Sequence, residues 1–168
     1  MKTLLTIGYE GAEIHDFIAT LIEADVRIVI DVRDLPLSRK HGFSKRALTD
    51  YLDESGIQYI HLRDLGDPKP GREAARRGDF KEFKSIFNTH MKGGKAQSAI
   101  AEALEISTSQ SACLLCYERN PAECHRTIVA EEIASRQNIR VRHIGVREGI
   151  ARTEGRSRKD GKKLFAVG

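Results

Sequence analysis

Cys113-Leu-Leu-Cys-Tyr-Glu-Arg-Asn-Pro-Ala-Glu-Cys-His-Arg126 reads as a strand, a turn and the first turn of a helix. The apolar run from Ala112 to Tyr117 is short and flanked by polar turn residues, which favours a buried strand over a helix. Asn120-Pro121 forces a turn after it. Ile128, Val129 and Ile133 then recur at helical spacing. Cys124, His125 and Arg126 are thus expected at a helix N-terminus, where unpaired backbone N–H groups and the helix dipole favour an anion or a thiolate.

The same alternation extends outward in both directions. Leu4–Ile7 reads as a strand ending at Gly8-Tyr-Glu-Gly11, and Ile14, Phe17, Ile18, Leu21 and Ile22 share one helical face. Arg27–Val32 is a run rich in β-branched residues, consistent with a strand buried on both faces. Ser44 is the expected N-cap of a helix, with Phe43 and Leu48 as a hydrophobic staple and Gly56 as its end. Ile57–Leu62 is the third strand, and Arg63–Gly71, with two prolines and two glycines, reads as a long loop. Asp79 and Glu82 form a capping pair before Phe80, Phe83, Ile86 and Phe87, and Ala96, Ile100, Ala103 and Leu104 imply a further helix. Arg140–Val146 closes the series as a strand. The expected fold is α/β, a single domain over residues 1–146 with a mostly parallel sheet of about five strands covered by helices on both faces.

Charge and composition narrow the function. The net charge of +4 resides in Arg147–Gly168, which carries seven Lys or Arg against three acids, so the preceding body is neutral. That segment reads as a basic, mobile tail, too poor in apolar residues to offset its ordering entropy. No membrane-span-length apolar run or signal peptide is read, which implies a cytoplasmic chain without a membrane partner. With three cysteines, a disulfide framework is not expected.

In parallel α/β sheets ligands bind off the carboxyl ends of the strands. Here those ends gather Tyr9 and Glu10, Asp31 and Arg33, His61 and Arg63, then Cys116 and Glu118 before Cys124-His125-Arg126. Cys113 and Cys116 are three apart and so face opposite sides of the sheet, with Cys113 a small buried hydrophobe. Cys124 is the candidate nucleophile and His125 the acid–base group, with Asp31 or Glu118 orienting it or acting as base and Cys116 beside them. Arg126 and Arg33 are candidate anion clamps, with Tyr9, Glu10 and Arg39 completing a substrate-binding set. Bland alternatives stand beside these. Asp31 and Arg33 form a structural ion pair in one, and His61 is a satisfied histidine in another. The reading assigns no cofactor and no metal, while leaving open a zinc site from Cys116, Cys124 and His125, against which the adjacency of Cys124 and His125 counts.

Thr6-Ile-Gly-Tyr-Glu-Gly11, Asp31-Val-Arg33 with Pro36, Ser38-Arg39 and Phe43, Gly56-Ile-Gln-Tyr59, Leu65-Gly66, and above all Cys116-Tyr-Glu118 with Cys124-His-Arg126 together resemble DUF488, a family of uncharacterised bacterial and archaeal proteins. Many of its members read Ile-Gly-His-Ser-Asn where this chain has Ile-Gly-Tyr-Glu-Gly, so a histidine role in that loop does not carry over. The resemblance implies a shared site at Asp31, Arg33, Glu118, Cys124, His125 and Arg126 and leaves its reaction open. Two function classes follow. One is an enzyme acting on a small anionic or nucleotide-like molecule. The other is a nucleic-acid-binding module using the Arg39–Arg46 loop and the basic tail, a class weakened by 6% aromatic content and the absence of tryptophan.

Overall fold

A computed structural model describes residues 1–153. Its chain order is β1 (Lys2–Gly8), α1 (Ile14–Glu23), β2 (Ile28–Asp31), α2 (Lys45–Glu54), β3 (Gln58–His61), α3 (Lys69–Arg76), α4 (Phe80–Met91), α5 (Gly94–Ser109), β4 (Ala112–Cys116), α6 (His125–Arg136) and β5 (Ile139–Ile144), with short 3₁₀ turns at Arg63–Leu65 and Pro121–Glu123. The five strands form one sheet in the order β3-β2-β4-β1-β5, and every pairing is parallel. Among the described residues no helix is long and apolar enough to cross a membrane.

Both faces of the sheet are buried, and alternate residues of each central strand feed different cores. Leu4, Ile28, Ile30, Leu114 and Cys116 pack with α3 to α6. Leu5, Ile7, Val29, Cys113 and Leu115 pack with α1 and α2. Cys113 and Cys116 therefore lie on opposite faces, as their spacing requires.

The strand order fixes where ligands can enter. Right-handed crossovers place the helices leaving β1 and β2 on one face, and those leaving β3 and β4 on the other. β4 therefore sits between two neighbours whose outgoing chains depart to the opposite side. Its carboxyl end is flanked by a crevice towards β2 and another towards β1, the positions at which open α/β sheets bind ligands.

Two expectations need correction. Arg63–Gly71 is not one long loop, because Pro68 precedes and Pro70 lies in the first turn of α3, where a missing backbone N–H costs nothing. The tail does not begin at Arg147. Asp16 accepts hydrogen bonds from Gly149 N–H (2.9 Å) and Ala151 N–H (3.1 Å), Arg147 pairs with Glu23, and Ile150 is buried. The rest of the proposed tail, residues 154–168, lies outside the described residues.

Candidate functional site

The carboxyl end of β4 delivers Cys116 as its last residue, with Glu118 two positions on along the outgoing loop. Asn120 caps the following 3₁₀ turn by accepting from Ala122 N–H, which returns the chain so that Cys124 becomes the N-cap of α6 and His125 its first residue. The extended backbone at Cys124 meets the helical backbone at His125, and this break lets two adjacent side chains converge on one point. Ligand atoms of Cys116, Glu118, Cys124 and His125 all lie within 4.8 Å of one another.

The loop is held by Gly8 and Arg126. A β-carbon on Gly8 would lie 1.8 Å from the Glu118 carbonyl oxygen, so only glycine permits this approach. Arg126 is fully buried. It donates to Thr6 Oγ1 (3.1 Å), to the Glu118 carbonyl and to the Arg119 carbonyl (3.3 Å). The anticipated anion clamp is thus buried and braces the loop through each of its three guanidinium nitrogens.

Asp31 and Arg33 also lie inside. Arg33 donates to Asp31 through its backbone N–H (3.1 Å), Nε (2.9 Å) and Nη2 (2.7 Å), and Tyr59 OH donates to Asp31 Oδ2 (2.6 Å). Nη1 of Arg33 donates to the Phe43 carbonyl (2.7 Å) and to Tyr9 OH (3.2 Å). This is the structural ion pair foreseen as the alternative. It fills the acceptor capacity a catalytic Asp31 would need, although Arg33 and Tyr9 still contribute to a cavity wall. His61 lies against the Arg33 carbonyl (2.6 Å) and is satisfied there.

A cavity of about 570 Å³ opens in the β2–β4 crevice. Cys116 and Glu118 line it, as do Arg39, Asp67, Arg72 and Arg76, whereas Cys124 and His125 lie behind its wall. Glu10 is not brought to this place. Its carboxylate accepts from Arg119 N–H (3.3 Å), and it faces a second cavity of about 660 Å³ beside β1 with Asp16, Glu148 and Arg152. Asp67 was missed from sequence because it sits in Arg63–Gly71, read as loop, and Arg72 and Arg76 because the helix that carries them, α3, was not read. The signal was Asp67-Pro68 opening a proline-led helix.

The cluster behind the wall is electrostatically crowded. His125 donates from Nε2 to the Val32 carbonyl (2.7 Å), which fixes the proton there and turns Nδ1 towards Cys116 Sγ, 3.6 Å away. Phe87 packs edge-on against the ring. Burial raises the Glu118 carboxyl to about 7, aided by charge on Cys124. Burial also raises the Cys116 thiol, and Cys124 beside it adds to the rise. Burial opposes the Cys124 thiolate too, but contacts from Cys116, His125 and Arg126 outweigh it and hold this thiol well below the usual range. His125 is raised to about 9, because the Cys124 thiolate, the Val32 carbonyl and Glu118 overcome its burial.

Four such donors lie close enough together to share one ion. Tetrahedral zinc with bonds of about 2.3 Å to sulfur and about 2.0–2.1 Å to nitrogen or oxygen has sulfur–nitrogen and sulfur–oxygen edges of roughly 3.5 Å. Cys116 Sγ lies 3.6 Å from His125 Nδ1 and 3.3 Å from Glu118 Oε2. The surrounding hydrogen bonds fit as well. The ring nitrogen left over donates to a carbonyl, and Cys124 Sγ accepts from Arg126 N–H at 3.5 Å.

No curated protein and no solved structure matches the chain. The family model described as "Domain of unknown function DUF488" matches residues 13–133. That span includes Cys116, Glu118, Cys124 and His125 and all of the β2–β4 cavity lining except Tyr9, and it leaves out Glu10. The chain therefore belongs to the DUF488 family.

Proposed function

We propose that this protein is a zinc enzyme acting on a small anionic or nucleotide-like molecule. Cys116, Cys124 and His125 hold the ion, and Glu118, at the cavity wall, is the fourth and displaceable ligand. The observation that carries the reading is the convergence of the four ligand atoms within 4.8 Å beside the β2–β4 cavity, whose wall Cys116 and Glu118 reach. Zinc suits a set of two sulfurs, one imidazole nitrogen and one carboxylate. Bound there, it would supply Lewis-acid polarisation at neutral pH. The protein's own part is to orient the ligands through Val32 and Arg126, and to present Glu118 to the ligand chamber.

Access favours this reading over a cysteine nucleophile. Cys124 has the depressed thiol, but it is almost wholly buried and absent from the cavity wall. Cys116 reaches the wall, but burial and its neighbour keep it protonated in the absence of a cation. Neither thiol combines reactivity with access, as nucleophilic catalysis demands.

Alkylation followed by mass spectrometry, with metal content measured on the same sample, tests the proposal. Protein purified without chelator is expected to carry about one zinc per chain, as a single four-ligand site requires. Cys116 and Cys124 should resist alkylation until a strong chelator is added. Metal-free protein whose Cys124 alkylates readily at neutral pH would return the site to the nucleophile reading.

A further inference from the structure

We infer that the β2–β4 cavity takes a nucleotide, with Asp67 as the group that recognises its base. This rests on the proposal that the cavity is the ligand chamber and adds what the chamber selects.

Asp67 is the feature that nothing among the described residues explains. Its side chain lines the cavity and is 5% exposed. Among the described residues no donor reaches its buried Oδ1. Burial raises its carboxyl to about 6 despite His125 and Arg72 nearby. Leaving a buried carboxyl oxygen unpaired costs free energy, so such a group in a native structure calls for an explanation. The backbone makes room for it, because a β-carbon on Gly71 would lie 2.1 Å from Oδ1. With Oδ1 lodged against Gly71, the other carboxyl oxygen is the acceptor this side chain offers the cavity, and among the described residues no donor reaches it either. The chemistry that matches this acceptor is an N–H or O–H donor on the ligand.

The rest of the wall describes the remainder of that ligand. Leu35, Leu37, Phe80 and Tyr117 are large apolar side chains left exposed, and all four border this cavity. They offer a surface for a flat apolar body. Arg39 and Arg76 are exposed at the same cavity and have no ion-pair partner among the described residues, whereas Arg72 is engaged by Asp34 (2.6 Å). Glu123 is an opposing charge on the rim. From floor to mouth the cavity thus offers an acceptor, apolar contact and positive charge. A nucleotide presents the complementary series: amino or imino N–H groups on the base edge, a flat ring, and a phosphate. The volume of about 570 Å³ lies within the range of small-molecule pockets.

Calorimetric titration of the purified full chain with AMP, GMP, CMP, UMP and inorganic phosphate tests the inference. A six-nucleotide single strand in a further cell separates free nucleotide from nucleotide within a polymer. At least one nucleotide, free or in the strand, is expected to bind roughly tenfold or more tightly than phosphate, the discrimination gained by pairing a buried polar group. Asp67→Ala should weaken that nucleotide about tenfold or more and leave phosphate unchanged. The same substitution should leave the melting temperature equal or higher, since it removes an unpaired buried group. Arg76→Ala should weaken nucleotide and phosphate alike. Nucleotides that bind no better than phosphate, or Asp67→Ala protein that binds them as tightly as wild type, would overturn the inference. Metal content on the same samples keeps the two readings apart. Zinc-loaded protein that binds no nucleotide removes this inference alone, and metal-free protein with Asp67-dependent nucleotide binding removes the zinc reading alone.

Discussion

Arg33 and Arg126 are both buried, and each is satisfied differently. Arg33 is neutralised by Asp31, and the pair is closed off by Tyr59, Tyr9 and the Phe43 carbonyl. Arg126 is held by one hydroxyl and two carbonyls, and among the described residues no carboxylate pairs with it. Its charge is therefore available to the cluster, where it favours a thiolate on Cys124. A zinc ion with two thiolates, one carboxylate and a neutral imidazole carries one net negative charge, which Arg126 would balance. Removing one member of the buried pair is the more damaging change. Asp31→Ala leaves the Arg33 guanidinium buried without its counter-ion, and chemical denaturation should show a loss of about 3–5 kcal/mol. A loss below about 1 kcal/mol would match an exposed pair instead and contradict this account of Asp31.

At the scale of elements, α1 carries a device that the chain's polarity pattern conceals. Asp16 points its carboxylate at Gly149 N–H and Ala151 N–H, fastening the segment after β5 to the helix. These bonds hold its pKa below the usual carboxylate value, with Gly149 the largest contributor. The sign follows from linkage. A depressed folded-state pKa contributes stability above the unfolded value of about 3.9, and the contribution is lost as pH falls through the folded pKa. Asp16→Ala should therefore lower amide hydrogen-exchange protection at Gly149 and Ala151 at neutral pH, and wild type should lose the same protection in acid. Unchanged protection in the variant would show that the segment is held by other contacts. The five strands and most helices were legible because buried parallel strands and one-sided helices write themselves into apolar spacing. α3 was not, since its prolines and glycine are loop signals everywhere except a first helical turn. The capping role of Asp79 towards Glu82 N–H was readable. Ser44 occupies the N-cap position, but its hydroxyl bonds to Ser38, a pairing across six residues that no local pattern encodes.

The whole molecule explains why the site is where it is. β4 leaves the sheet between neighbours whose chains depart to the opposite face, so crevices open on both sides of its carboxyl end. Sequence could collect Cys116, Glu118, Cys124 and His125 because they lie within ten residues along one strand–turn–helix unit. It could not sort Glu10 from them, because the strand order alone puts Glu10 on the β1 side of β4. Nor could it find Asp67, whose approach depends on the three helices between β3 and β4. Zinc held through two cysteines is the feature on which the proposed chemistry depends. X-ray absorption at the zinc edge on protein purified without chelator addresses it directly. Two sulfurs at about 2.3 Å and two nitrogen or oxygen neighbours at about 2.0–2.2 Å are expected, with the sulfur contribution lost in a Cys116→Ser, Cys124→Ser variant. A shell of nitrogen and oxygen alone, or a sulfur signal that survives that double substitution, would contradict it.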